Sequence, residues 1–155
     1  MDPRLRELLL SVDDANAYEA PEGFDGHTEM DRGRALKPEL EAILSRPLDL
    51  DDQVQDASFF TALSTRDYEE VMLGSTRGHA LLVVFRFSCF GNLVTCSTSA
   101  IGKDAVGAAR IDAARELISQ RGYNFVDADQ LDEPYDGLNQ GLKGETWWIR
   151  FFDYL

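Results

Sequence analysis

The chain has 155 residues, and 28 Asp and Glu against 15 Lys and Arg give it a formal charge of −13. Phosphate binding is driven by cationic side chains, so free duplex nucleic acid is a poor partner. No apolar run approaches the roughly 18 residues that cross a bilayer, and apolar and charged contents of 44% and 28% are those of an ordinary folded domain rather than a disordered chain.

Asp2-Pro3 is a helix start, with Asp as N-cap and Pro at the first helical position. Leu5, Leu8, Leu9 and Val12 form one apolar stripe, so this helix runs to Val12 and at most to Tyr18. Residues 20–34 contain three glycines and a proline without an apolar period, which predicts a loop of the length that is usually functional or mobile. A second helix begins near Pro38, turns Leu40, Ile43 and Leu44 inward and stops before Pro47. Residues 45–56 are an acidic connector with Asp49, Asp51, Asp52 and Asp56.

Strands are predicted at Ser58–Leu63 and Tyr68–Leu73. A hairpin of His79–Cys89 and Leu93–Thr98 follows, turning at Gly91-Asn92. Val83, Phe85, Phe87 and Cys89 share one face. Pairing Cys89 with Val94 and Phe87 with Cys96 sets apolar against apolar, and a one-residue slip would not. A helix from Asp104 to Arg121 ends at Gly122, a left-handed cap. The strand Tyr123–Val126 and an acidic loop, Asp127–Gly144, come next. The last strand, Thr146–Leu155, is aromatic on both faces and therefore central or covered by a helix. The order α-α-β-β-β-β-α-β-β predicts a single α+β domain over 1–155, with a helical, acidic part at 1–56 and a sheet-and-helix core at 57–155. Its mostly antiparallel sheet has about five to six strands, with helices packed on one face.

The acidity is uneven. Residues 1–56 carry a net −9, residues 57–126 carry +1 and residues 127–155 carry −5. Adaptation to high salt should acidify the whole surface, so the localised charge points to a local role. The alternative is a solvated face with hydrated loops.

Several patterns carry chemistry. Asp25, His27, Glu29 and Asp31 alternate and would share one side of an extended backbone, as metal ligands must; an acidic solvated loop is the competing reading. Cys89 and His79 are the one conceivable nucleophile and base, but Cys89 falls on an apolar strand face, where a thiol is inert. Gly102-Lys103-Asp104 lacks the glycine and the hydroxyl of a phosphate loop. Asp127, Asp129 and Asp132 lack the glycine and glutamate of a calcium loop. None of these patterns calls for a metal or a cofactor. Arg110 falls among the apolar residues of helix 104–121, so it either snorkels, pairs with a carboxylate, or lines a pocket between helix and sheet near Trp147 and Trp148. The loop bearing Asp127, Asp129, Asp132, Glu133, Tyr135 and Asp136 is the best interface candidate, because carboxylates around an aromatic steer and anchor a basic protein surface.

The sequence therefore reads as a non-enzymatic, cytoplasmic interaction domain for a basic partner protein, without a membrane segment and with both cysteines reduced. In size and acidity it is similar to small bacterial inhibitor and immunity proteins, some of which block nucleases by presenting carboxylates in place of phosphates. The likeness is one of composition, and no motif carries it. The alternatives are a small-ligand protein or enzyme using the pocket near Arg110, and a homodimer built on the aromatic C-terminal strand.

Overall fold

The computed structural model describes residues 1–16, 21, 23–51, 61–73 and 75–153. Side-chain carboxylates start the first two helices, whose leading amides have no acceptor within the helix. Asp2 accepts from Arg4 and Leu5 and opens α1 (Pro3–Val12). Asp25 accepts from His27 and Thr28 and opens α2 (Gly26–Leu44). The predicted loop is thus corrected from Gly26 onward, and Pro38 lies inside the helix rather than at its start. Met30, Gly33, Leu36, Leu40 and Leu44 make the buried stripe of α2. Gly33 belongs to that stripe because a Cβ there would lie 2.8 Å from Cγ2 of Thr61; it permits close approach and does not break the helix.

The strands are β1 (Leu48–Asp51), β2 (Thr61–Thr65), β3 (Tyr68–Leu73), β4 (Thr76–Leu81), β5 (Val83–Phe87), β6 (Leu93–Thr98) and β7 (Asn124–Phe125). β1 lies within the predicted connector. Ser58–Phe60 of the first predicted strand lie outside the described residues, as do Asp52 and Asp56 of the connector, Tyr18 and the last two residues of the chain. The main sheet has the order β1-β2-β5-β6-β7, antiparallel except for the parallel pair β6–β7, and β3–β4 is a separate two-stranded ribbon. The expected α+β fold holds, with a mixed sheet.

The long strand predicted over His79–Cys89 is divided at Leu82. The Leu82 N–H donates to the Asp67 carbonyl, and its own carbonyl accepts from Ser99. That carbonyl also abuts Gly102, where any Cβ would overlap it. The β5–β6 register is Phe85↔Cys96 and Phe87↔Val94, two residues from the predicted pairing but with the same side chains on the same faces. The cause is the turn. Ser88 Oγ accepts from Leu93 N–H and donates to the Phe90 carbonyl, Gly91 and Asn92 both take positive φ, and Cys89 leaves the ladder to donate its N–H to the Phe151 carbonyl.

The helix predicted over 104–121 is two helices, α3 (Gly102–Val106) and α4 (Ala108–Gln120), separated by Gly107 at φ +95°. Gly122 takes φ +88° as expected of a cap. The acidic loop contains the short helix α5 (Ala128–Leu131) and a 3-10 turn at Gln140–Leu142. The predicted final strand is corrected to α6 (Trp147–Phe152), started by Thr146, whose Oγ1 accepts from Ile149 N–H.

Two apolar clusters hold these elements together. In the first, Leu36, Leu40 and Leu44 of α2 and Ile111, Ala114 and Ile118 of α4 pack on Leu63, Phe85, Phe87 and Val94 of the sheet. In the second, Leu9 of α1, Leu131 of α5 and Trp147, Phe151 and Phe152 of α6 surround Leu93, Phe90 and Val126. Leu93 and Arg86 lie on the opposite sheet face from Phe85 and Phe87, since alternate residues point to opposite sides, and Arg86 stacks over the Trp148 ring at 5.4 Å. Helices therefore meet both faces, α2 and α4 on one and α6 at the end of the other.

Candidate functional site

The second cluster joins the two acidic ends of the chain. Asp13, which follows α1, turns its carboxylate inward among groups from the C-terminal region. Oδ1 accepts from Arg150 Nε at 2.8 Å, and Oδ2 accepts from the Tyr135 hydroxyl at 2.5 Å and from Leu138 N–H at 2.8 Å. Arg150 Nη2 donates to the Asp14 carbonyl, and the guanidinium lies 4.6 Å from the centre of the Phe90 ring. The Tyr135 hydroxyl in turn accepts from Asn139 N–H at 2.8 Å. Both charged side chains are almost wholly buried, 0% exposed for Asp13 and 1% for Arg150. A buried carboxylate so surrounded is satisfied on both oxygens, the condition for tolerating it. Burial, followed by the bond to Asp13, pushes the Tyr135 phenol up to about 12.

This network fixes the acidic segment from beneath. Tyr135 is buried against Trp147, ring centres 4.6 Å apart, so it anchors the loop from inside and is not the exposed aromatic expected. Asp127, Asp129, Asp132, Glu133 and Asp136 are exposed. Asp127 caps α5, accepting from Asp129 N–H. Glu133 pairs with the Met1 amino group. Asp136 accepts from Arg6 Nε and Nη2 at 3.0 and 2.8 Å, and Arg6 holds its carboxyl below the usual carboxylate range. That pair is exposed and contributes only about 0–1 kcal/mol.

The other predicted positions are dispersed. Arg110 is exposed on α4, because the break at Gly107 re-phases the helix and turns Ile111, Ala114 and Ile118 inward instead. Trp147 is buried between Tyr135 and Phe151, and Trp148 stacks on Phe152. Asp25, His27, Glu29 and Asp31 are wound around the first turns of α2 with separate tasks. Asp25 caps the helix, while Glu29 and Asp31 pair with Arg32 and Arg34. No group of three or more His, Cys, Asp and Glu among the described residues could hold a metal ion. Cys89 lies in the second cluster, while His79 stands on the exposed ribbon against Tyr68, ring centres 4.5 Å apart. Cys89 and Cys96 are free thiols. No described helix is long and apolar enough to cross a membrane.

A cleft of about 590 Å³ opens beside β6, lined by Cys96, Ser97, Thr98, Arg115 and residues 125–129. Arg110 and the tryptophans do not line it. Arg115 lies over the Phe125 ring at 4.5 Å, and burial pushes the Cys96 thiol up. Sequence reading missed Asp13, Arg150 and Arg115. The signal for Arg150 was present, as the one charge inside the run Trp147–Phe152; a charge in such a run requires a partner. Comparison with protein-family models, curated proteins and solved structures finds no match to this chain.

Proposed function

We propose that the protein is a non-enzymatic interaction domain that binds a basic protein surface through the acidic segment 127–136. One observation carries this reading: the exposed carboxylates of Asp127, Asp129, Asp132, Glu133 and Asp136 sit on a segment pinned from below by the buried Tyr135–Asp13–Arg150 network. A charged surface ordered before binding loses little entropy on association and steers its partner by field. Two free thiols suit a reducing, cytoplasmic setting.

The test is capture from cell extract with wild-type protein and with a variant carrying Asp129→Lys and Asp132→Lys, at low and high salt, read by mass spectrometry. The reading expects a basic protein retained by wild type at low salt and released by salt or by the charge reversal. Equal retention by both proteins, or recovery of nothing beyond the bait, overturns it.

A further inference from the structure

The sheet ends at β6 along most of its length. β7 pairs only with Leu93 and Val94, and Val126 N–H closes the ladder on the Val94 carbonyl. The chain then turns into α5, started by Asp127. In an antiparallel pair, hydrogen-bonded positions alternate with positions whose N–H and C=O point away from the partner strand. Ser88 N–H donates to the Leu93 carbonyl, and Ser99 N–H to the Leu82 carbonyl. Thr95 and Ser97 therefore spend their backbone groups on β5, and Cys96 and Thr98 point theirs outward. Among the described residues, no hydrogen bond reaches those outward groups of Cys96 and Thr98. The cleft of about 590 Å³ lies along this open edge, between Arg115 on one side and Asp127 and Asp129 on the other.

From this edge and its acidic wall we infer that the basic partner docks as an extended segment, added to β6 where β7 stops. The inference rests on the reading of the acidic segment as a partner surface and gives that partner a shape. The outward N–H and C=O of Cys96 and Thr98 supply strand-to-strand hydrogen bonds, the usual source of affinity when a peptide joins a sheet edge. Asp127 and Asp129 supply the preference for Lys or Arg on the added strand. Arg115 is held on its own wall by the Phe125 ring and closes the cleft on the helix side. An edge presenting free backbone groups is a template for strand addition unless it is blunted, and no proline or bulge blunts Leu93–Thr98.

Thr98→Pro tests this directly. It removes an N–H that points outward and leaves the β5–β6 ladder whole, an arrangement in which an edge strand tolerates proline. A phage-displayed library of random peptides of about twelve residues is panned against wild-type protein. The selected peptides are then titrated against wild type, Thr98→Pro and the double variant Asp127→Asn, Asp129→Asn, in which Asn keeps the cap of α5. Amide shifts of wild type are mapped with the same peptides, so that the outcome stands even if Thr98→Pro folds poorly. The inference expects Lys- or Arg-rich peptides that shift the Cys96 and Thr98 amides and bind Thr98→Pro about tenfold or more weakly. The double variant weakens them as well, and salt does the same. Failure to select any peptide overturns the inference, and so does selection without basic enrichment. Peptides weakened by the double variant but indifferent to Thr98→Pro, with shifts away from Cys96 and Thr98, overturn the edge and leave the acidic-surface reading standing.

Discussion

Asp13 and Arg150 stand 137 positions apart in the chain and meet at 2.8 Å with their side chains almost entirely out of solvent. The bond ties the end of α1 to α6, and through Tyr135 it ties both to the acidic segment. Removing either side chain breaks a charged hydrogen bond inside an apolar cluster. Asp13→Asn and Arg150→Met are each expected to destabilise by about 3–5 kcal/mol. The double variant should lose less than the two singles together, with a coupling of about 2 kcal/mol. Urea unfolding of the four proteins measures this. Additive losses would show that the pair acts by packing alone.

Tyr135 links the acid to the loop and carries its own pH signature. Its phenol ionises at about 12 in the folded protein and near 10 when unfolded. The folded state thus holds the proton more tightly. The stability linked to it is fully present below about pH 10 and is lost as pH rises through about 12. An ultraviolet titration should show one tyrosine ionising near 12, absent in Tyr135→Phe. That substitution removes the hydroxyl's bonds to Asp13 and from Asn139 N–H and is expected to cost about 1–3 kcal/mol. A titration unchanged by Tyr135→Phe would assign the late ionisation elsewhere.

Much of the fold was legible because burial and backbone chemistry point the same way locally. The faces of β5 and β6 follow from Phe85 and Phe87 opposite Val94 and Cys96; the cap at Gly122 follows from its positive φ. The misreadings have physical causes as well. Gly33 looks like a breaker until Thr61 is beside it. Pro38 stands in a helix that packing against the sheet keeps intact despite the lost amide. The run Trp147–Phe152 buries aromatics all round, and so short an apolar run has no period to separate strand from helix. Gly107, at φ +95° and ψ +123°, resets the phase of α4 and carries Arg110 to the surface. The carboxylates of the site could be seen in sequence, but the buried ion pair beneath them is a contact between the two ends of the chain and has no local pattern.

Gly137 lies under the same network. A Cβ there would overlap the Tyr135 ring and come within 2.5 Å of Asp13 Oδ2. Gly137→Ala should therefore push the tyrosine off its carboxylate, costing about 1–3 kcal/mol and lowering the late ionisation toward 10. Gly107→Ala is the contrast. Its Cβ meets nothing within 4 Å, so only the strained backbone at φ +95°, ψ +123° resists it, at about 1–3 kcal/mol, and the tyrosine titration should not move. Thermal unfolding and the ultraviolet titration of both variants separate overlap from backbone strain.

Glu69 makes the corresponding tie for the ribbon. Its carboxylate, on the inner side of β3, accepts from Ala100 N–H at 3.2 Å and Ile101 N–H at 2.8 Å. Tyr68 and Met72, on the other side of β3, are 59% and 63% exposed. A two-stranded ribbon is marginal by itself in water, so this clamp should decide its local stability. Glu69→Ala leaves two amides without their acceptor, at about 1–3 kcal/mol. The loss should fall on the ribbon first, as a local opening below the global unfolding free energy. Amide hydrogen exchange is expected to speed up across 68–81 and at Ala100 and Ile101, while Phe85 and Val94 in the main sheet keep their protection. Uniform loss across both sheets would show instead that the ribbon and the main sheet unfold as one unit.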